Sequence, residues 1–170
     1  MLKFIALALI SAGFTAGGLL VSSYHSKRAE MLASVLLMIS VIETQLRFAC
    51  PPVSDLLRVL GENPALSDLE FIKCTREKMC FGESFPDAWR ESIETETEMC
   101  RILSGASRHL TALGTEIGST DLEGQLSCCE YYKNVFSAEL ESQQEKNKKY
   151  SKLFPPLGLL AGISAAILMI

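Results

Sequence analysis

The chain ends in the stretch Leu153-Phe-Pro-Pro-Leu-Gly-Leu-Leu-Ala-Gly-Ile-Ser-Ala-Ala-Ile-Leu-Met-Ile170, which contains no charged side chain. A transmembrane helix needs about 20 apolar residues, and about 17 suffice in a thin bilayer. A helix of about 18 residues is about 27 Å long, so this stretch reaches from one interface to the other. A core helix of a soluble protein usually keeps a polar face, which this stretch lacks. The sequence therefore predicts a C-terminal transmembrane anchor over residues 153–170.

A second apolar stretch, Phe4–Val21, lies at the other end of the chain. A secretory signal peptide has a similar composition, with small residues such as those at 15–17 before its cleavage point. Here the apolar run continues beyond these small residues, and the basic residues of His25–Arg28 follow it. The positive-inside rule places that basic side in the cytoplasm. We therefore predict an uncleaved transmembrane anchor over residues 1–23.

Together the two anchors predict a two-span hairpin in the cell inner membrane, with both termini outside and the domain 24–152 in the cytoplasm. Each anchor also contains two glycines four positions apart, a spacing that lets helix backbones pack closely in a bilayer. These candidate packing residues are Gly13 and Gly17 in the first anchor and Gly158 and Gly162 in the second. Pairing of the two anchors within one chain and self-association both remain open.

The charged residues lie almost entirely between the anchors. This central part contains all 20 acidic residues and every basic residue except Lys3, and its net charge is about −5. Nucleic-acid binding normally requires a clear basic patch, so we do not expect a nucleic-acid partner. The lysines between Lys146 and Lys152 directly precede the second anchor, where they would meet anionic lipid headgroups.

The central part shows helical spacing throughout, which predicts an all-α fold. We expect a bundle of about six helices between the N- and C-terminal transmembrane helices. The first long helix continues from its anchor to Pro51-Pro52, and the last begins at a capping box, Thr120–Glu123, and runs into the second anchor. Four shorter helices are expected between them. Their predicted ends are Gly61, Asn63-Pro64, Gly82, the capping box Ser84–Asp87, Ser104-Gly105 and Gly118.

An acidic flank stands out within these short helices. It consists of Glu91, Glu94, Glu96 and Glu98. Most such flanks are solvated surface, and a docking face for a basic partner is the functional interpretation. We therefore take these four residues as the candidate partner interface.

The sequence contains no recognisable catalytic or cofactor motif. There is no glycine-rich phosphate loop, no G-x-S-x-G and no H-E-x-x-H. The six cysteines include no C-x-x-C pair, so we expect them to pack as small apolar residues rather than to bind metal. Of the adjacent pair Cys128 and Cys129, we expect at most one to lie fully in the core. We predict no enzymatic activity, no cofactor and no small-molecule substrate.

The order of features resembles the stage III sporulation protein AB family of endospore-forming bacteria, over nearly the full length. The matching segments are Met1–Lys3, Ile42–Pro52, Ala88–Ile93, Leu113–Asp121, Lys149–Gly158 and Ile167–Ile170. The chain departs from the family at Ala49–Pro52, where a glycine-x-threonine-proline sequence is common, and over Leu126–Phe136, which is less charged than usual.

The resemblance implies a role in a secretion-like channel that spans the mother-cell and forespore membranes during sporulation. The central domain would be similar to the cytoplasmic helical bundles of type II secretion platform proteins. By that analogy it would dock the cytoplasmic ATPase of the complex (the AA protein) and connect it to the other membrane components.

Two alternatives to this membrane-anchored scaffold remain open. One is a platform protein of a pilus or type II secretion system, although such proteins usually have duplicated bundles and three spans. The other is an exported helical domain with a cleaved signal peptide and a C-terminal anchor.

Overall fold

The structure of the protein, a computed structural model, describes the backbone of residues 2–167 and the side chains of residues 24 and 26–149. All regular elements within this part of the chain are helical, as the periodicity predicts. They are α1 (Leu2–Phe48), α2 (Val53–Gly61), α3 (Phe71–Cys80), α4 (Phe85–Thr95), α5 (Thr97–Leu103), α6 (Ser107–Glu116) and α7 (Leu122–Ile167), with 3₁₀ turns at Pro64–Leu66 and Ser104–Ala106.

The chain divides into two compact units. The central one comprises Arg28–Glu141, and the other comprises the two ends, up to Lys27 and from Ser142. The predicted anchors, 1–23 and 153–170, lie outside the residues whose side chains are described. The transmembrane assignment of these ends and the packing role of Gly13, Gly17, Gly158 and Gly162 therefore stay predictions.

One stretch among the described residues, Ser26–Phe48 of α1, is long and apolar enough to cross a membrane, with a mean hydropathy of 1.5. Its composition also suits a core helix, because one of its faces lies inside the central unit. The buried side chains on this face are Leu32, Val35, Met38, Ile39, Ile42 and Leu46. They recur every three or four residues, which is the spacing of a single helix face.

Trp89 lies at the centre of the short helices. Its ring meets the Phe71 ring edge to face, with centroids 4.9 Å apart, and its Nε1–H donates to the Leu110 carbonyl oxygen at 2.9 Å. The indole can approach α6 this closely because Gly114 has no side chain. A Cβ at Gly114 would lie only 2.1 Å from Trp89 Cδ1. The tryptophan thereby joins α3, α4 and α6 around one ring.

Two ion pairs connect α1 with α7 inside the central unit. Arg28 contacts Glu139, and Glu43 contacts Lys133 at 2.9 Å. The partners follow one another in opposite order along the two helices, so α1 and α7 are antiparallel here. Arg28 also donates through Nη1 to the Ile102 carbonyl oxygen of α5 at 2.8 Å, which fixes a third helix to the pair.

Several helix ends confirm the sequence predictions. Helix α1 stops at Phe48, shortly before Pro51-Pro52, because the residue before a proline is disfavoured in the helical region. Gly82 and Gly118 follow α3 and α6 with φ of +96° and +79°, values that favour glycine. Cys50 and Ser104 also have positive φ, 41° and 51°, although both carry a side chain.

Other predicted ends are wrong in detail. Gly61 is the last residue of α2 and has no positive φ, and Glu62 in a right-handed conformation caps that helix. The Asn63 side chain accepts from the Ala65 N–H, but it starts only a 3₁₀ turn, and α3 begins later, at Phe71. At the start of α7, Asp121 rather than Thr120 accepts from the Gly124 N–H.

The predicted capping box at Ser84 does not form either. The Ser84 hydroxyl donates to the Asp87 carboxylate at 2.6 Å instead of accepting from a backbone N–H. Asp87 lies in the first turn of α4, where the negative charge of a carboxylate interacts favourably with the helix dipole. The hydrogen bond from Ser84 lowers the pKa of Asp87, so the side chain stays charged in this position.

Candidate partner interface

The predicted acidic flank lies where α4 and α5 meet. Glu91 and Glu94 belong to α4, Glu98 lies in the first turn of α5, and Glu96 is the single residue between the two helices. Glu91, Glu94 and Glu98 are exposed, whereas Glu96 is partly buried. The chain turns at Glu96, with φ −76° and ψ 75°, so the four carboxylates do not form one continuous row.

Glu91 has a partner on a neighbouring helix. Lys78 of α3 donates through Nζ to its carboxylate at 2.7 Å, and this hydrogen bond raises the pKa of Lys78. The ion pair is at the surface, so its contribution to stability is small, but it neutralises one of the four predicted charges. Glu91 therefore sits in a locally balanced site rather than in an acidic patch.

Glu96 is directed towards the protein rather than to solvent. One of its carboxylate oxygens, Oε1, is buried and has no hydrogen-bond partner among the described residues. The pKa of Glu96 is raised to about 7, mainly because the carboxyl group is buried. A hydrogen bond from the Phe71 backbone N–H at the start of α3 lowers the pKa, and the negative charge of nearby Glu70 raises it further. Near neutral pH the residue is thus in part an uncharged carboxylic acid, unlike a member of a charged docking face.

Fewer carboxylates therefore contribute to the acidic face than the sequence predicts. Glu91 is paired with Lys78, Glu94 and Glu98 are exposed, and Glu96 lies between these two as an inward residue. The face lies on the short helices of the central unit, where the sequence analysis places it.

A second surface feature lies between α2 and α3. It is a cleft of about 400 Å³, lined by Leu57, Gly61, Lys73, Arg76, Glu77, Cys80 and Phe81. The Phe81 side chain is 90 % exposed, directly after the last residue of α3. Sequence reasoning missed this cleft, because the pairing of α2 with α3 is a tertiary contact. The available indications were a basic α3 and an aromatic residue before the terminating glycine.

The cysteines fall into exposed and buried groups. Cys50 and Cys80 are exposed free thiols, while Cys128 and Cys129 are both buried. Cys129 is fully buried, whereas Cys128 keeps 7 % of its surface exposed. The prediction that at most one of the pair lies fully in the core is therefore confirmed. Both belong to the hydrophobic core of the central unit, and Cys128 also lies close to Glu116 of α6. Burial raises the pKa of Cys128 to about 12 and that of Cys129 to about 11.

No group of three or more His, Cys, Asp or Glu side chains within residues 24 and 26–149 has the geometry to hold a metal ion.

The fold and these surfaces define a class of protein: an all-helical bundle whose first and last helices are each more than 40 residues long. Within this class, the chain belongs to the family of stage III sporulation protein AB, whose sequence model matches residues 3–170. It is therefore a sporulation-related protein. No curated protein and no solved structure matches the chain.

Proposed function

We propose that the protein is a non-enzymatic, membrane-anchored scaffold of the sporulation channel complex between mother cell and forespore. Its two ends hold the helical bundle at the cytoplasmic face of the inner membrane, and the bundle docks the cytoplasmic ATPase of the complex. Family membership over residues 3–170 supports the link to sporulation. The apolar stretches Phe4–Val21 and Leu153–Ile170, neither of which contains a charged side chain, support the membrane anchoring.

The observation that carries the docking proposal is the exposed acidic face formed by Glu94 and Glu98. Helices hold both residues, so little conformational entropy is lost when they bind. Complementary charge on a partner increases the association rate and fixes orientation. The expected partner surface is basic, and the binding should weaken with rising salt.

A capture experiment tests this proposal. The full-length chain, co-expressed with the sporulation ATPase and solubilised in a mild detergent, should retain the ATPase on an affinity resin. Glu94→Lys should reduce the captured amount about fivefold or more, because it replaces an attractive charge with a repulsive one. Glu96 is unsuitable for this test, since charge reversal at a partly buried residue would disturb the fold.

The matched control is Glu123→Lys, a reversal of an exposed carboxylate in the first turn of α7. It changes the net charge by the same amount at a different site. Equal capture by Glu94→Lys and the unsubstituted chain would remove the acidic face from the interface. Equal loss in both variants would show a general charge effect instead of a docking face.

A further inference from the structure

We propose that the cleft between α2 and α3 is the docking site for an acidic segment of a partner protein that carries a large apolar side chain. The lining combines an apolar part and a basic part. Both parts lie within the central unit, and neither belongs to the acidic face formed by Glu94 and Glu98. The inference therefore holds or fails independently of the ATPase docking.

The basic part of the cleft is Lys73 and Arg76 on α3. Both side chains are exposed, and neither forms an ion pair with any side chain that the structure describes. Cations nearby are neutralised differently: Lys78 contacts Glu91, and Arg58 contacts Glu62 at 3.3 Å. Glu77 is the one carboxylate in the lining, so the cleft has a net charge of about +1 on a chain whose net charge is −4.

The apolar part is formed by three features. Leu57 of α2 is almost fully buried beneath the cleft, and Gly61 of the same helix contributes no side chain. Phe81 projects at the edge and is one of the most exposed apolar side chains among the described residues. A volume of about 400 Å³ lies in the range of ligand sites and admits large apolar side chains.

These two parts determine the chemistry of the occupant. An apolar anchor would pack against the exposed Phe81 ring at the edge of the cleft, and carboxylates beside the anchor would face Lys73 and Arg76. Two cations are too few for a nucleic-acid footprint, which usually involves several phosphate contacts. A small inorganic anion would leave the apolar surface uncovered. A short protein segment of mixed acidic and apolar side chains satisfies both parts.

Cys80 lies in the cleft lining and allows a direct test by proximity labelling. The probe is a peptide of about eight residues, rich in Glu around a Leu-Phe pair, with a weakly reactive chloroacetyl group at its end. It is added to the full-length chain in a mild detergent, and modified cysteines are identified by mass spectrometry. Cys50, exposed but outside the cleft lining, is the internal control.

We expect the acidic peptide to modify Cys80 at least fivefold faster than Cys50, after correction for the rates with chloroacetamide alone. A peptide with Lys in place of Glu, and one with Ser in place of Leu-Phe, should lose this preference. The unreactive acidic peptide should compete at Cys80 and leave Cys50 unaffected. The preference should also fall with rising salt.

Substitutions in the lining give a second readout through equilibrium binding of a fluorescent form of the same peptide. Lys73→Glu and Arg76→Glu should each weaken binding about threefold to fivefold, as expected for exposed charge pairs, and Glu77→Gln should strengthen it about twofold. Arg108→Glu, at an exposed cation of α6 outside the cleft, is the matched control.

Gly61 supplies a steric test that does not change charge. A Cβ there would have its nearest neighbour, Lys73 Cγ, at 3.9 Å, so a side chain is accommodated. Gly61→Met should fill the cleft and abolish peptide binding, whereas Gly61→Ala should leave binding within about twofold. Both variants retain the helix, because Gly61 has no positive φ.

Three kinds of result would overturn the proposal, in labelling, in peptide binding and in self-association. One is that the acidic peptide modifies Cys80 and Cys50 at equal rates after correction for their rates with chloroacetamide alone. Another is binding of the acidic and basic peptides with equal affinity, or unchanged binding after both charge reversals. The third is self-association of the chain in sedimentation that disappears with Lys73→Glu and Arg76→Glu, because the cleft would then belong to a second copy.

Discussion

At the scale of single residues, Gly114 leaves less room for a Cβ than any other glycine whose surroundings the structure describes, because Trp89 packs against it. A Cβ at position 114 would overlap the indole ring, 2.1 Å from Cδ1 and 2.3 Å from Nε1. We expect Gly114→Ala to destabilise the protein by about 2–4 kcal/mol. The added methyl group would displace either α6 or the indole, and this displacement would weaken the hydrogen bond between Trp89 and the Leu110 carbonyl oxygen.

Denaturant titration followed by tryptophan fluorescence measures this effect, since Trp89 is the only tryptophan. The control is Gly61→Ala, where the added Cβ has ordinary contact distances. This change should stabilise the protein by about 0.5–1 kcal/mol, because alanine has a higher helix propensity than glycine. Similar stability of Gly114→Ala and the unsubstituted chain would contradict the packing of the indole on α6.

Ser104 has a backbone conformation that suits glycine better than serine. Its φ of 51° and ψ of −125° occur directly after α5, where the chain turns into the 3₁₀ segment that leads to α6. We expect Ser104→Gly to stabilise the protein by about 0.5–1 kcal/mol, since removal of the Cβ relieves strain that outweighs the extra entropy of glycine in the unfolded chain. Urea midpoints of the two proteins give the measurement, and Ser104→Ala, which keeps the Cβ, should show no gain.

Glu96 should make the stability of the protein depend on pH. Its pKa is about 7 in the folded state against an ordinary value of 4.5, so between these values the folded chain holds a proton that the unfolded chain releases. Stability therefore falls as pH rises from about 4.5 to about 7 and changes little at higher pH. We expect a loss on the order of 1–2 kcal/mol, less than the full shift implies because the side chain keeps some contact with water.

Glu96→Gln should remove most of this pH dependence, because glutamine stays uncharged throughout. Glu94→Gln, at the exposed position two residues earlier, should retain the profile of the unsubstituted chain. Unfolding free energies at pH 5, 6, 7 and 8 distinguish the variants. Identical profiles for Glu96→Gln and the unsubstituted chain would show that the carboxyl group is fully hydrated.

At the scale of helices, the contact of α1 with α5 and α7 depends on Arg28. Its side chain is only 13 % exposed, and it bridges the Ile102 carbonyl oxygen and the Glu139 carboxylate. We expect Arg28→Met to cost about 1–2 kcal/mol, because a buried carbonyl loses its donor while the methionine retains part of the packing. Lys133→Met should cost less than about 1 kcal/mol, since that lysine is more exposed.

Thermal unfolding of the two variants in parallel measures the difference. The comparison is matched, because each substitution removes one cation from an ion pair between α1 and α7. An equal cost for both would mean that the hydrogen bond to Ile102 contributes nothing beyond the surface ion pair.

The helical elements themselves could largely be predicted from the sequence. Apolar residues that recur every three or four positions form the inward faces of the helices, as Leu32, Val35 and Ile39 do in α1. Helix ends set by backbone chemistry are also correct, as at Gly82 and Gly118. These properties depend on neighbours along the chain, which the sequence contains directly.

Capping partners and side-chain surroundings were less predictable, because they depend on how the helices pack. Ser84 donates to Asp87 rather than capping α4, and Asp121 takes the capping role expected of Thr120. Glu96 looks like its acidic neighbours in sequence, but it lies inward at the junction of two helices. The cleft beside Lys73 requires the pairing of α2 with α3, which no local pattern contains.

At the scale of the whole molecule, the orientation of the bundle relative to the membrane can be tested with its own cysteines. The two-span hairpin places the central domain in the cytoplasm, so a membrane-impermeant maleimide should label Cys80 and Cys50 only after the cells are permeabilised. Both thiols are exposed in the folded protein. Labelling in intact cells would support the exported domain with a cleaved signal peptide.

Cys128 and Cys129 serve as the folding control in the same experiment. Both are buried and their raised pKa values, about 12 and about 11, keep them as unreactive thiols. They should stay unlabelled in permeabilised cells and react only after denaturation. Early labelling of this pair would show that α7 has separated from the bundle.

The close approach of Trp89 to Gly114 has a consequence for how this sequence can diverge. A residue larger than glycine cannot be accommodated at position 114 while the indole of Trp89 packs against it. A smaller side chain at position 89 would leave space for a larger residue at position 114. Mutational paths between family members should therefore be ordered, with the aromatic residue shrinking first. The reverse order passes through an intermediate that is poorly folded, so the two positions are expected to covary.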